Sequence, residues 1–412
     1  MTTPACRFCQ TPLTQTFLDL GRQPLANSYL TPAQLAAGTE KSYPLHTRVC
    51  PNCFLVQADD PVAADDIFDD GYAYFSSYSE SWVAHAKRYA EAMIARFDLG
   101  PKSLVIEVAS NDGYLLKHFK AAGVPILGIE PTANTAQAAI EIGVPTEVSF
   151  FNAATGRDLA ARGISADLMA GNNVLAHVPD IGDFVAGFPL VLAPQGVLTF
   201  EFPHLLNLIE QVQFDTIYHE HFSYLSLLAV EKVLQANGLR PFDVELLPTH
   251  GGSLRLFCCH QAADHAETQA LIDLRAREQA AGLDLLATYG GFTARVEAVR
   301  DSFLAFLAKA KSEGKRVAAY GAAAKGNTFL NYAGTGTDDI VAVFDANPHK
   351  QDRFLPGSHI PVLAPAKVSE IKPDYLLILP WNLKAEIMGQ MAVIRSWSGK
   401  FVTAAPEPQV FD

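Results

Sequence analysis

Ser103-Leu104-Val105-Ile106-Glu107-Val108-Ala109-Ser110-Asn111-Asp112-Gly113-Tyr114 decides how this chain is read. A short apolar, β-branched run ends in a carboxylate. Small and polar residues follow, and the pattern turns helical from Tyr114. A buried strand, a tight turn and a helix whose first amides are free form the opening unit of a doubly wound parallel sheet. Reading outward, further strands are expected at Pro125–Glu130, Thr146–Val148, Ala166–Ala170 and Gly196–Phe202, with helices between them. Leu254–Cys259 is expected to complete the sheet at an edge, with Cys258 and Cys259 as buried strand thiols. Upstream, Trp82, Ala86, Tyr89, Met93 and Phe97 recur at helical spacing, and that run stops at Gly100-Pro101.

A second doubly wound pattern starts after Gly314-Lys315. Its strands are expected at Arg316–Tyr320, Ile340–Phe344 and Tyr375–Leu379, and residues 263–310 before it read as helical. The N-terminal segment is different. Cys6-Arg7-Phe8-Cys9 and Cys50-Pro51-Asn52-Cys53 are two pairs, each with a two-residue gap, and a reach between them long enough to fold back. Four soft sulfur ligands at this spacing select zinc, in a closed site with no position for substrate. Disulfides or coincidence are the alternative. Short strands and turns should surround the metal, with Leu18–Asn27 as a connecting loop that packs on a neighbour. Residues 58–76 are acidic and aromatic, as in a linker crossing the next domain. The fold class is therefore α/β: a zinc module (residues 1–60), a first doubly wound domain (61–262) and a second (263–412).

The net charge of −13 argues against nucleic acid as the main partner. No basic-then-apolar leader opens the chain, and no apolar run reaches membrane-spanning length, so no membrane partner is expected. Thiols kept reduced for zinc place the chain in the cytoplasm. Three domains closing one cleft need no partner chain, so a monomer is expected.

The first loop offers a cofactor site. Glu107, Ala109, Ser110, Asn111, Gly113 and Tyr114 let a ligand approach the backbone, and Glu130 ends the second strand where a carboxylate accepts from ribose hydroxyls. A dinucleotide fingerprint wants three glycines, and only Gly113 is present. An acid before the loop and Asn111-Asp112 within it suit a cationic amino-acid tail. With Asn172-Asn173 after the fourth strand, these features favour S-adenosylmethionine over a dinucleotide.

The most unusual run is Tyr218-His219-Glu220-His221-Phe222-Ser223-Tyr224, expected at the carboxyl end of the sheet. A base removing a proton beside a ketone needs a near-neutral pKa, which His supplies, while Glu orients it and Tyr donates to the enolate oxygen. The alternatives are an aromatic turn with capping histidines, or a His-x-His metal site. Thr249-His250-Gly251-Gly252-Ser253-Leu254-Arg255 is either a ligand loop or a plain hairpin turn. In the second doubly wound domain, Tyr320–Thr328 makes another anion cradle containing Lys325, Gly326 and Asn327, and Asp345 ends the next strand in the ribose position. A vestigial fold with structural glycines is the alternative there.

Taken in order, the cysteine pairs, Ser110–Gly113, Tyr218–His221, His250–Arg255 and Gly321–Asn327 resemble the motifs of the sugar C-methyltransferases that act on nucleotide-linked ketodeoxysugars. The resemblance covers nearly the whole chain. It implies a class I S-adenosylmethionine methyltransferase domain and methylation at C3 of a dTDP-4-keto-deoxyhexose. It also implies His221 as the base, Tyr218 and Glu220 around the sugar, and Tyr72 and His177 as further active-site members. The C-terminal domain would hold the nucleotide diphosphate through Lys325-Gly326-Asn327. Ala109 and Asn111 depart from the glycines usual in methyltransferases. The competing functions are an O- or N-methyltransferase on another phosphorylated substrate, or a zinc-anchored binding protein with an inactive methyltransferase fold.

Overall fold

The computed structural model describes residues 3–59 and 75–412; Tyr72 lies outside them, as does most of the acidic stretch read as a linker. In chain order the strands are β1 (Gln15–Gln23), β2 (Tyr43–Val49), β3 (Val56–Ala58), β4 (Val105–Val108), β5 (Ile126–Glu130), β6 (Thr146–Val148), β7 (Ala166–Asn172), β8 (Leu192–Pro203) and β9 (Ser223–Tyr224). Then come β10 (Leu239–Leu247), β11 (Ser253–His260), β12 (Val317–Tyr320), β13 (Val343–Phe344), β14 (Val362–Leu363), β15 (Tyr375–Ile378), β16 (Lys400–Thr403) and β17 (Gln409–Phe411).

They form three sheets. The central one runs β10-β11-β8-β7-β4-β5-β6, with β4 to β8 parallel and β11 inserted antiparallel beside β8. The C-terminal sheet runs β14-β13-β12-β15-β16-β17 and is parallel except for β17. The N-terminal sheet, β1-β2-β3-β9, is antiparallel, and its last strand comes from the middle of the chain. The α/β class holds, with strands and crossover helices alternating as their patterns require.

Two expectations are corrected. β11 is not an edge: it lies between β8 and β10, and β10 takes the edge. Leu239-Arg240-Pro241-Phe242-Asp243 does not read as a strand because Pro241 cannot donate to a ladder. An edge tolerates that, and the register shifts between Pro241 and Asp243. Leu18–Gln23 is not a loop but the second half of β1. The ladder slips between Asp19 and Arg22 at Gly21 (φ 72°), whose amide donates to Asp19 Oδ1 at 2.9 Å. The strand proposed at Ile340–Phe344 shrinks to Val343–Phe344.

The helix Glu80–Phe97 starts where Ser79 Oγ accepts from the Trp82 amide (3.3 Å) and ends at Asp98 in a left-handed turn. It buries Ala86, Tyr89, Ala90 and Met93 at the spacing read from sequence. One apolar core joins the N-terminal sheet (Phe17, Leu45) to the segment after β8 (Phe214, Ile217) and to the C-terminal sheet (Val317, Val343, Leu377) with its helices (Phe303, Phe329). Phe17 stacks on Phe292 with ring centroids 4.6 Å apart. Each such burial removes side-chain surface worth about 2 kcal/mol from water, so the parts share a core and are not strung beads.

Glu278, only 3% exposed, ties elements together: it accepts from the Leu227 and Leu228 amides (2.7 and 2.8 Å) at a helix start and from His204 Nε2 (2.7 Å). Glu278→Ala strands all three buried donors, and we expect it to lower stability by about 3 kcal/mol, measured by denaturant unfolding.

Candidate active site

The loop after β4 is left-handed at every second residue: Ala109 φ 57°, Asn111 φ 49°, Gly113 φ 77°. Glycine is the usual answer at such positions. Asn tolerates the conformation, Ala109 is strained by about 1 kcal/mol, and only Gly113 is free. A Cβ on Gly113 would come within 3.1 Å of Val144 Cγ2. Glu130, at the end of β5, holds this loop: Oε2 accepts from the Asn111 amide (2.9 Å) and Oε1 from the Thr132 amide (3.0 Å). Asn111 Oδ1 and Asp112 Oδ2 accept from the Ser76 and Ser77 amides (2.9 and 3.0 Å), which roots the turn ahead of the Glu80–Phe97 helix on this loop.

Glu107 is buried, and neither carboxylate oxygen has a partner at hydrogen-bond geometry. Burial drives its pKa well above the usual carboxylate range, and the Tyr114 hydroxyl offsets only part of this. Side-chain oxygens of Asp112, Asn172 and Asn173 are also buried without partners. Orphaned acceptors at the carboxyl ends of β4 and β7 call for a cationic, donor-rich ligand, and the amino-acid tail of S-adenosylmethionine fits them. Trp82 lines the same end, with ring centroids 6.1 Å from Tyr114 and 5.3 Å from His250.

The Tyr218–His221 run gathers titratable side chains. His221 Nδ1 lies 2.8 Å from the Thr216 carbonyl oxygen. A carbonyl only accepts, so Nδ1 carries the proton and Nε2 keeps its lone pair. That lone pair accepts from the Tyr218 hydroxyl at 2.9 Å. Burial, with His177 adding to it, pushes the His221 pKa well below the usual imidazole range, so the ring is neutral at pH 7. The His177 ring stands edge-on to it at 4.6 Å, and burial takes His177 down to about 4. Glu220 accepts from Asn27 Nδ2 (2.5 Å), and burial raises its pKa against the opposing Asn27 bond and Lys350 charge. His219 bonds the Pro44 carbonyl instead (3.2 Å), so the two histidines do not converge on a metal.

The cysteine pairs explain what holds this run. Cys6 Sγ is 3.6 Å from Cys53 Sγ, Cys9 Sγ is 3.4 Å from Cys50 Sγ, and the four sulfurs lie within 4.8 Å of one another. A tetrahedral zinc with bonds of about 2.3 Å wants sulfurs roughly 3.8 Å apart. The two knuckles are built alike. Gln10 and Phe54, each following the second cysteine of its pair, have positive φ (59° and 63°) and return a 3.0 Å bond to the first cysteine's carbonyl. Among the described residues this is the one group of three or more His, Cys, Asp or Glu placed to hold a metal. From the second knuckle the chain enters β3, which pairs Val56 with Tyr224 and Gln57 with Ser223, while the Ala58 amide bonds the Phe222 carbonyl (3.0 Å). The zinc module thus grips the residues directly after His221.

The C-terminal loop is split in role. Lys325 lies over the Trp381 ring (4.7 Å) and bonds Asn382 Oδ1 (2.7 Å); burial lowers its pKa, opposed by the Asp215 charge. Gly326 serves packing, since a Cβ there would sit 2.9 Å from Leu379 Cβ. Asn327 is buried and donates to the Ala26 carbonyl (2.5 Å). Asp345 repeats the Glu130 arrangement: Oδ2 accepts from the loop amide of Ala322 (2.7 Å) and Oδ1 from Asn347 two residues on (2.8 Å).

Thr216, Glu201 and Trp381 escaped the sequence reading. Glu201, buried in β8, receives Arg255 (3.1 Å) and His85 (3.0 Å); a carboxylate inside an apolar strand was the available signal. Thr216 acts through its main chain, which leaves no residue-type signal. Gly251 and Gly252 (φ 87° and 111°) form a tight turn between β10 and β11, pressed against Trp381 and Asn207.

Three family models match the chain: "Putative zinc binding domain" over residues 6–68, "Methyltransferase domain" over 70–244, and "C-methyltransferase C-terminal domain" over 248–406. C-methyltransferase NovU of Streptomyces niveus is 35% identical over 405 residues, covering 98% of this chain and 96% of that protein. The chain belongs to the C-methyltransferase family. As a member it is an S-adenosylmethionine-dependent methyltransferase with a zinc-binding cysteine quartet. Solved structures are more distant. A Burkholderia thailandensis 1,6-didemethyltoxoflavin N1-methyltransferase aligns with a TM-score of 0.36 at 18% identity, over 51% of this C-methyltransferase and 96% of that chain. The Synechocystis magnesium protoporphyrin IX methyltransferase aligns with a TM-score of 0.33 at 15% identity, over 48% and 89%.

Proposed function

We propose that this C-methyltransferase adds a methyl group to C3 of a dTDP-linked 4-keto-deoxyhexose, with His221 as the base. The observation that carries this is the His221 ring itself: neutral, its Nδ1 proton donated to the Thr216 carbonyl, and its Nε2 lone pair 2.9 Å from a hydroxyl donor. A hydrogen on carbon and the oxygen of the adjacent ketone present that same pair of needs, an acceptor beside a donor. Nε2 takes the C3 proton, and the C–H electrons move into the C3–C4 bond. Tyr218 passes its hydrogen bond from Nε2 to the enolate oxygen, where the growing charge is stabilised. S-adenosylmethionine, when bound, supplies an electrophilic methyl carbon on a positively charged sulfur; the new C–C bond forms as the C–S bond breaks. Glu107, Ala109, Ser110, Asn111, Gly113, Tyr114, Glu130, Asn172 and Asn173 would hold it. His177 and Glu220 wall the sugar, with Tyr72 a further member.

The C-terminal domain (residues 263–412) would take the nucleotide diphosphate, Lys325 meeting the anion and Asp345 the ribose, with Gly326 and Asn327 keeping the helix close. Support comes from the equivalence of Asp345 and Glu130, each locking a loop amide and a second amide two residues on. The zinc module (1–60) and the methyltransferase domain (61–262) complete the cleft. We further propose a monomer, since one core joins the N-terminal sheet, the segment after β8 and the C-terminal sheet, and a reducing cytoplasm, since the cysteine quartet holds zinc only when reduced and none of the six cysteines is in a disulfide.

The test is a 13C-methyl-labelled cofactor with a panel of dTDP-4-ketosugars, followed by NMR of the product. A methyl carbon bonded to C3 supports the proposal; an O-methyl or N-methyl signal, or no transfer across the panel, refutes it. The pH profile follows from the depressed pKa of His221. A group that binds its proton only at lower pH stays a base through the ordinary imidazole midpoint of about 6.5. We therefore expect kcat/KM to be flat from about pH 8 down through the ordinary imidazole midpoint, with its acid limb below that midpoint. A midpoint near the ordinary value would contradict this.

A further inference from the structure

The turn ahead of the base is held by the C-terminal domain at residue after residue. Phe214–Thr216 forms a short 3-10 turn. The Phe214 ring packs on Phe329 (5.5 Å) and Tyr332 (5.4 Å). The buried Asp215 carboxylate accepts the Trp381 indole N–H at 2.7 Å. The Ile217 carbonyl accepts from Thr328 Oγ1 at 3.1 Å. All four partners come from the helix Ala324–Ala333 or the turn Trp381–Leu383. Between these grips lies Thr216, whose carbonyl bonds His221 Nδ1. Trp381 is itself seated: its ring edge meets Gly251, where a Cβ would come within 2.3 Å, and Lys325 covers its face.

We propose that Asp215 and Trp381 are positioning residues. Their buried indole–carboxylate contact fixes the Phe214–Ile217 turn, so the Thr216 carbonyl keeps the His221 proton on Nδ1 and the Nε2 lone pair free. This rests on His221 being the base. A rotation of the Thr216 carbonyl would let the imidazole exchange tautomers or tilt. Small misplacements of a reacting group cost about 10²-fold in rate. The C-terminal domain is then more than a nucleotide holder: its docking makes the base competent.

The experiment is 15N NMR of the full chain labelled at histidine, with the His221 signals identified by their loss in His221→Asn. Wild type is expected to show a protonated Nδ1 and a bare Nε2. Trp381→Phe, which keeps the ring and removes the N–H, is expected to average the two nitrogens. Its kcat should fall roughly 10- to 100-fold with KM within about twofold. Asp215→Leu should do the same, and Asp215→Asn, which restores an oxygen acceptor, should recover the wild-type signal. Unchanged His221 shifts in Trp381→Phe, or a kcat loss that only follows a fall in Tm, overturns the proposal. Pinned shifts that Trp381→Phe disperses, in a protein that turns over no ketosugar, would uphold the clamp and refute the assigned reaction.

Discussion

His221→Asn lowers kcat for methyl transfer by about 10³-fold and leaves cofactor affinity at its wild-type level. Asn places its amide nitrogen where Nδ1 stands and can still donate to the Thr216 carbonyl, so the loop should keep its shape. What it lacks is a basic lone pair. His221 is placed for the role by its tautomer and its neutrality, both set by the protein. The cofactor loop is untouched by the change, because it is built from β4, β5 and their turns. Calorimetry with S-adenosylmethionine and single-turnover kinetics separate the two effects. Retained transfer would move the base to His177 or Tyr218. Lost cofactor binding would mean that the two sites are not built independently.

The second large effect is expected from the metal. The chain should carry about one zinc, and removing it, or replacing Cys50 by Ser, should lower Tm by on the order of 10 °C and abolish activity together. Three of the four cysteines are buried in one small volume. Without the ion, their thiols have no reason to stay within contact of each other. The two knuckles open, and β3 loses its anchor. β9 loses its partner at Val56 and Gln57, and the Phe222 carbonyl loses the Ala58 amide. The metal site would then act on the Tyr218–His221 run through the β3–β9 pairing that follows it. Elemental analysis and activity after chelation test this. A metal-free protein with full activity would refute the structural role.

Where local sequence and chemistry coincide, the molecule was legible. The two Cys-x-x-Cys pairs place four sulfurs as zinc wants them, since knuckle geometry is local. The strand–loop–helix at Glu107–Tyr114 was readable even without its glycines, because Ala109 and Asn111 accept the left-handed backbone that glycine would adopt freely. β10 was not legible, because Pro241 breaks the strand pattern and only the edge position excuses it. β1 was taken in part for a loop because Gly21 marks a slip inside a ladder, not its end. In the site, His221 and Tyr218 stood out by type. Thr216, Asp215 and Trp381 did not. Their roles depend on a carbonyl direction and on contacts between Phe214–Ile217 and a helix more than a hundred positions later, which no local pattern encodes. Asn327 read as a ligand residue because its loop is small and polar; its amide nitrogen donates to the Ala26 carbonyl, and its Oδ1 is buried without a partner.

The measurement that bears most directly on the central claim is deuterium wash-in. The wild-type protein, with S-adenosylhomocysteine filling the cofactor site, is incubated with a dTDP-4-keto-deoxyhexose in heavy water, and the sugar is analysed by NMR. If His221 removes the C3 proton, deuterium appears at C3 without methylation, and the His221→Asn protein gives none. If C3 keeps its hydrogen while the same protein methylates the sugar elsewhere, both the carbon and the base assigned to it are wrong; if His221→Asn exchanges C3 as fast as wild type, the base is wrong.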